Sequence, residues 1–110
     1  MSIHKPTNDL EPLSSEFASD PGMAELVEYF TGELSDRIAS LTGAWQGQDR
    51  EQLKRLSHQL KGAASGYGFP QITEAAAALE GGMQDAAAMA DLTEAFDELV
   101  LLCRRASIQG

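Results

Sequence analysis

The sequence predicts an all-α fold, an antiparallel up-down-up-down four-helix bundle with a short extra helical segment at its N-terminal side. Three observations lead there. Apolar residues recur at three- and four-residue steps in four separate segments. Glycine-containing turns between the segments are short, which makes successive helices antiparallel neighbours. No stretch alternates apolar and polar residues as a half-buried strand would.

Residues 1–12 read as a polar tail, because Pro6, Asn8 and Pro12 discourage regular structure and His4 lies there without partners at useful spacing. Residues 13–107 form the domain. A helical turn or two is expected through "LSSEFAS", Leu13 to Ser19. Asp20-Pro21 then starts the first long helix, with Asp as N-cap and Pro at the first helical position. Its stripe is Met23, Leu26, Val27, Phe30, Leu34, Ile38, Leu41 and Trp45, and Gly47 closes it. Trp45 belongs to packing rather than recognition.

Asp49 opens the second helix, and Gln52 three residues later completes a capping-box pattern. Leu53, Leu56, Leu60, Ala63, Ala64 and Tyr67 form its apolar face, and "GYG" ends it. The third helix begins near Phe69-Pro70, buries Phe69, Ile72, Ala75, Ala76 and Leu79, and is expected to stop at Gly81-Gly82. The fourth uses Met89, Leu92, Phe96, Leu99, Val100 and Cys103, with Arg104 and Arg105 at its negative dipole end. Cys103 falls on that apolar stripe and reads as core. It is the single cysteine, so the chain has neither an internal disulfide nor a cysteine pair for a metal.

Composition narrows the function. Seventeen acidic against eight basic residues give a net charge of -9, which argues against general binding to nucleic acid or to an anionic membrane. No apolar run reaches the length of a membrane span and the N-terminus lacks a secretory pattern, so a cytoplasmic location is expected. A chain opening on Met1 and ending at Gly110 reads as a free-standing protein, with a segment of a larger hybrid kinase as the alternative. The bases cluster: Arg50, Lys54, Arg55 and Lys61 are opposed between positions 50 and 61 only by Glu51. This is a local basic patch on an acidic body.

On a helical wheel at about 100° per residue, His58 falls almost opposite the apolar centre of the second helix. Lys54, Lys61 and Ser65 share its face, and Gly62 sits one turn on. Glycine within an exposed helix costs roughly 1 kcal/mol relative to alanine, so its presence there asks for a reason. Without a side chain at 62, another protein can approach the imidazole closely. Imidazoles titrate near neutral pH, so one ring nitrogen keeps a free lone pair. A nucleophilic nitrogen, an ammonium one turn away and a cleared approach suit phosphoryl transfer. A hydrolase using His58 as base would need a nucleophile and an orienting group, and only Ser65 is near. A metal would need a second helical ligand where Gly62 stands.

"HQLKGAASGYG" resembles the signature of the histidine-containing phosphotransfer (HPt) family, His-x-Leu-Lys-Gly with a further glycine ten residues after the histidine. Here these are His58, Leu60, Lys61, Gly62 and Gly68, and "AAALE" resembles the family's third bundle helix. The resemblance implies that His58 accepts a phosphoryl group, on its outer ring nitrogen, from the phospho-aspartate of a receiver domain and passes it to another receiver. Lys61 would stabilise the phosphate and Gly62 would admit the receiver's loops. Lys54, Arg55, Gln59 and Ser65 are candidate binding residues. Such a protein is a stoichiometric carrier rather than an enzyme, holds no cofactor or metal itself, and relies on the receiver for Mg2+ and the aspartate. Its partners would be receiver domains of response regulators or hybrid kinases, not nucleic acid or membrane, and the chain would be a monomer. The alternative is a helical docking module that is never phosphorylated. The sequence departs from the common pattern at Ser57, where alanine is frequent, and at the bulky Tyr67 and Phe69.

Overall fold

A computed structural model describes residues 11–85 and 88–107. It contains α1 (Ala24–Gln46), α2 (Arg50–Gly66), α3 (Pro70–Gln84), a 3-10 turn (Met89–Leu92) and α4 (Thr93–Ser107), with no strand among the described residues. The fold is all-α. Each helix packs on two others: α1 on α2 and α4, α3 on α2 and α4, with the α2–α3 contact the most extensive. Most of the tail expected over residues 1–12 lies outside the described residues, and Glu11 and Pro12 are exposed without regular structure.

The N-terminal approach to α1 differs from expectation. Residues 16–19 form turns, with Ala18 N–H donating to Ser15 O and Asp20 N–H to Phe17 O, instead of a helical segment. Ser15 Oγ donates to Tyr67 O at 2.5 Å and Glu16 N–H to Gly68 O at 2.8 Å, so this backbone is spent on the α2–α3 turn. The same segment reaches α4, where Leu13 N–H donates to Arg105 O and Arg105 Nε to Glu11 O. Gly68 makes the contact possible. Its φ of +84° favours glycine, and a Cβ there would stand 2.6 Å from Ser15 Oγ.

Helix α1 starts three residues later than the Asp20-Pro21 signal suggests. Asp20 caps a preceding turn, its Oδ1 accepting from Gly22 N–H and its carbonyl from Met23 and Ala24. Val27, Phe30, Leu34 and Leu41 are buried, whereas Leu26 is 47% exposed because its neighbour Val27 takes the inward position. At the other end Gly47 remains right-handed and Gln48 takes the left-handed conformation, φ 54°.

The capping residue of α2 is Asp49, whose Oδ1 accepts from Gln52 N–H. Leu53, Ser57, Leu60 and Ala64 form its buried row, while Leu56, Ala63 and Tyr67 lie at the margins. Ser57 is fully buried, and its hydroxyl is satisfied by Leu53 O one turn back. Tyr67 and Phe69, bulky around Gly68, both pack on Phe30 of α1, at ring-centroid distances of 5.0 and 5.6 Å.

Gly81-Gly82 does not stop α3, which runs on to Gln84. Met83 beyond the pair is buried in the core, and its carbonyl accepts from Arg50 Nη2 at the start of α2. The Leu92 side chain packs closely over Gly82, and a Cβ there would make it shift. The helix expected from Met89 onward begins as the 3-10 turn, and α4 proper starts at Thr93. Trp45 stacks on Phe96 of α4 at 4.4 Å. Cys103 is fully enclosed, and burial pushes its thiol up to about 12, which keeps it an unreactive apolar group. No helix among the described residues is long and apolar enough to cross a membrane.

Candidate functional site

His58 lies in the middle of α2 on the side away from Leu53, Leu60 and Ala64, and its side chain is 65% exposed. Helix continues on both sides of it, so its backbone is fixed by the core on the opposite face. A depression around the ring is lined by Glu51, Lys54, Arg55, His58 and Glu80. All but Glu80 come from consecutive turns of α2, and Glu80 comes from α3. The Arg55 guanidinium is held in place by the Gln52 side-chain carbonyl.

Glu80 organises this arrangement. Its side chain is only 12% exposed, and it faces α2 with both oxygens used. Oε2 lies 2.9 Å from His58 Nδ1, and Oε1 lies 2.7 Å from Lys61 Nζ. The Lys61 ammonium, opposed in part by burial and helped by His58, holds the Glu80 carboxyl below its usual range. An ionised carboxylate only accepts hydrogen bonds, so the proton in the His58–Glu80 contact sits on Nδ1. In the neutral ring the lone pair is then on Nε2, the nitrogen away from Glu80.

Beyond the imidazole the helix is bare. Gly62 is exposed, and a Cβ added there would meet nothing within 4 Å; the same is true of Gly66. Among the described residues, no packing explains either glycine. A molecule approaching the outer ring nitrogen therefore finds an uncovered helix backbone beside it.

Lys54 and Arg55 line the depression around His58, and Lys61 reaches it through Glu80. Of these, Lys54 and Lys61 share the His58 face on the wheel, whereas Arg55 entered only as part of the basic patch. Ser65 is not brought in: it lines a separate depression with Glu16, Phe69 and Thr73. Gln59 borders a groove on the α1 side with Glu33, Asp36 and Arg37. Glu80 is not among the candidates that the sequence singles out. A signal for it exists, since position 80 continues the buried row Ile72, Ala76, Leu79 and Met83, where a carboxylate needs a partner. Among the described residues, no group of three His, Cys, Asp or Glu side chains could hold a metal ion.

An all-helical fold with an exposed histidine, a lysine one turn on and a bare glycine beside it defines a class, and comparison gives the same one. The Hpt domain family model matches residues 25–107, and the chain belongs to that family. It is also similar to the phosphorelay protein LuxU of Vibrio harveyi, with 34% identity over 71 residues, 64% of this chain. The chain spans 61% of the length of that relative. No solved structure gives a significant match.

Proposed function

We propose that this protein is a histidine phosphotransfer carrier of a two-component phosphorelay, with His58 as the group that is phosphorylated. The observation that carries the reading is the His58 Nδ1–Glu80 hydrogen bond under an exposed ring, because it leaves Nε2 as the free nucleophile. The Nε2 lone pair attacks the phosphorus of a receiver's aspartyl phosphate. The bond from phosphorus to the aspartate oxygen breaks, the carboxylate leaves, and a phosphorus–nitrogen bond forms. The reverse sequence delivers the group to a second receiver. Family membership and the similarity to a phosphorelay protein support the assignment.

In this reading Lys61 stabilises the transferred group, Gly62 admits the receiver's loops, and Lys54 and Arg55 attract its acidic pocket. Gln59 and Ser65 lie further out and serve the docking surface alone. The receiver supplies the aspartate and the Mg2+ that neutralises the phosphoryl oxygens, so the chain acts stoichiometrically. The domain is residues 13–107, carrying the tail 1–12, in an antiparallel up-down-up-down bundle. The bond from Arg50 at the start of α2 to Met83 at the end of α3 supports that arrangement. The protein works as a cytoplasmic monomer without nucleic acid or membrane.

The test is incubation with a panel of phosphorylated receiver domains and Mg2+, for the natural chain and His58→Gln. An acid-labile, alkali-stable label on the natural chain alone is expected. No label from any receiver, with binding equal for both forms, would replace this reading with that of a docking module.

A further inference from the structure

We propose that Glu80 keeps the Nδ1 proton on the phosphorylated His58 ring, and thereby holds the phosphoryl group in a form that can be passed on. This rests on the reading of His58 as the acceptor. Glu80 is a positioning residue in this scheme, since it touches the ring on the side away from the reacting atom.

The chemistry follows from proton and electron balance. Attack by Nε2 of a ring already protonated at Nδ1 produces a phospho-imidazolium, with a proton on one nitrogen and phosphorus on the other. When that species gives up its phosphoryl group, the electrons of the breaking bond return to Nε2 and neutral imidazole leaves. If the Nδ1 proton is lost first, the leaving group becomes an imidazolide anion, a far poorer one. Whether the group stays transferable near neutral pH thus depends on what faces Nδ1. Here an ionised carboxylate stands 2.9 Å away. A carboxylate in this position stabilises the imidazolium, as the buried aspartate does in a Ser-His-Asp triad.

Lys61 makes the effect responsive to phosphorylation. In the unphosphorylated protein its ammonium is bound to the other Glu80 oxygen at 2.7 Å and weakens the carboxylate's pull on the Nδ1 proton. Lys61 is 35% exposed, and its flexible stem lets the ammonium turn outward. A phosphoryl group on Nε2 brings up to two negative charges to the same face and competes for that ammonium. As Lys61 moves toward it, the Glu80 charge is left to the ring. The other charged groups facing His58 are Glu51, Lys54 and Arg55 on α2. Glu33, Asp36 and Arg37 of α1 border the groove beside Gln59 instead.

The direct readout is protonation of the phosphorylated ring itself. The full chain, labelled with 15N-histidine and carrying His4→Gln to remove the second imidazole, is phosphorylated chemically with potassium phosphoramidate. The Nδ1 resonance of phospho-His58 is then followed against pH. Glu80→Gln retains an acceptor for Nδ1–H but removes the charge, so the titration midpoint is expected to fall by about one pH unit or more. Lys61→Met removes the cation that faces both the ring's carboxylate partner and the phosphoryl group, so its midpoint is expected to rise. Above both midpoints, release of phosphate from Glu80→Gln should be about tenfold slower for each pH unit by which its midpoint falls. A midpoint in Glu80→Gln equal to that of the parent, or both variants moving in one direction, would overturn the proposal. Should Glu80→Gln fail to fold, the absence of a rise in Lys61→Met would do so. Because the label is loaded chemically, the result is separate from whether any receiver phosphorylates the protein. Displaced midpoints with no receiver transfer would sink the phosphorelay reading alone.

Discussion

At the scale of single residues, the site separates groups that the core demands from groups that it does not. Leu53, Leu60 and Ala64 are fixed by packing, and Ser57 by its own helix, but no contact among the described residues requires Gly62. Alanine at that position should raise folding stability by about 0.5–1 kcal/mol, because the helix gains propensity and the new methyl meets no neighbour. Phosphoryl transfer from a receiver should fall at the same time if the gap exists to admit one. Denaturant melts and transfer rates on Gly62→Ala measure both, and unchanged transfer would remove Gly62 from the docking surface. The exposed place of Gly62 near His58 was legible in the sequence, since the wheel puts His58, Lys61 and Gly62 together on the solvent side. Glu80 was not, because on a wheel it belongs to the apolar row of α3. Only the distance between helices shows that its carboxylate meets His58 and Lys61.

The elements matter here mainly through α2 and α3, whose extensive contact is closed at one end by the Gly68 turn and at the other by Arg50 and Met83. Between those ends, Glu80 joins the two helices through two charge-assisted contacts. Its carboxyl pKa is lowered below the reference value of 4.5, chiefly by Lys61. A depressed folded-state pKa means that the stabilisation is complete above the unfolded value. It is lost as pH falls through the lower, folded one. Relative to Glu80→Gln, the natural chain should therefore lose stability as pH drops below about 4.5. Thermal melts of both between about pH 7 and pH 3 check this, and parallel curves would mean that Glu80 carries no linkage. The four helices themselves were readable from their apolar steps and from Asp49, Phe69-Pro70 and Gly68. Their limits were less so. Gly81-Gly82 looks like a stop signal, yet close approach of the Leu92 turn and burial of Met83 outweigh the helix cost of two glycines. Asp20 caps a turn before α1 for a related reason, with the preceding residues already bonded across to Tyr67 and Gly68.

The whole molecule sets a basic face on an acidic body. The chain carries a net charge of -9, yet Lys54, Arg55 and Lys61 stand within two turns of His58. A receiver's phosphorylation pocket is acidic because it must bind a divalent metal, so under the proposed function the two surfaces would attract. The association rate should then fall with rising salt, and the Lys54→Glu, Arg55→Glu double variant should associate roughly tenfold more slowly at low ionic strength. Stopped-flow association at several salt concentrations would show it, and a salt-independent rate would place the contact elsewhere. Charge asymmetry of this kind was legible from the spacing of the bases, whereas the place of Ser65 in a separate depression needed the packed helices. The central claim is that the exposed nitrogen of His58 carries the phosphoryl group received from a receiver domain. The measurement that tests it most directly is a long-range 1H–15N correlation spectrum of the 15N-histidine-labelled chain after loading by a phosphorylated receiver. The account predicts phosphorus on Nε2 of His58 and an unmodified His4. Phosphate on Nδ1 of His58, or on any other residue, would contradict it.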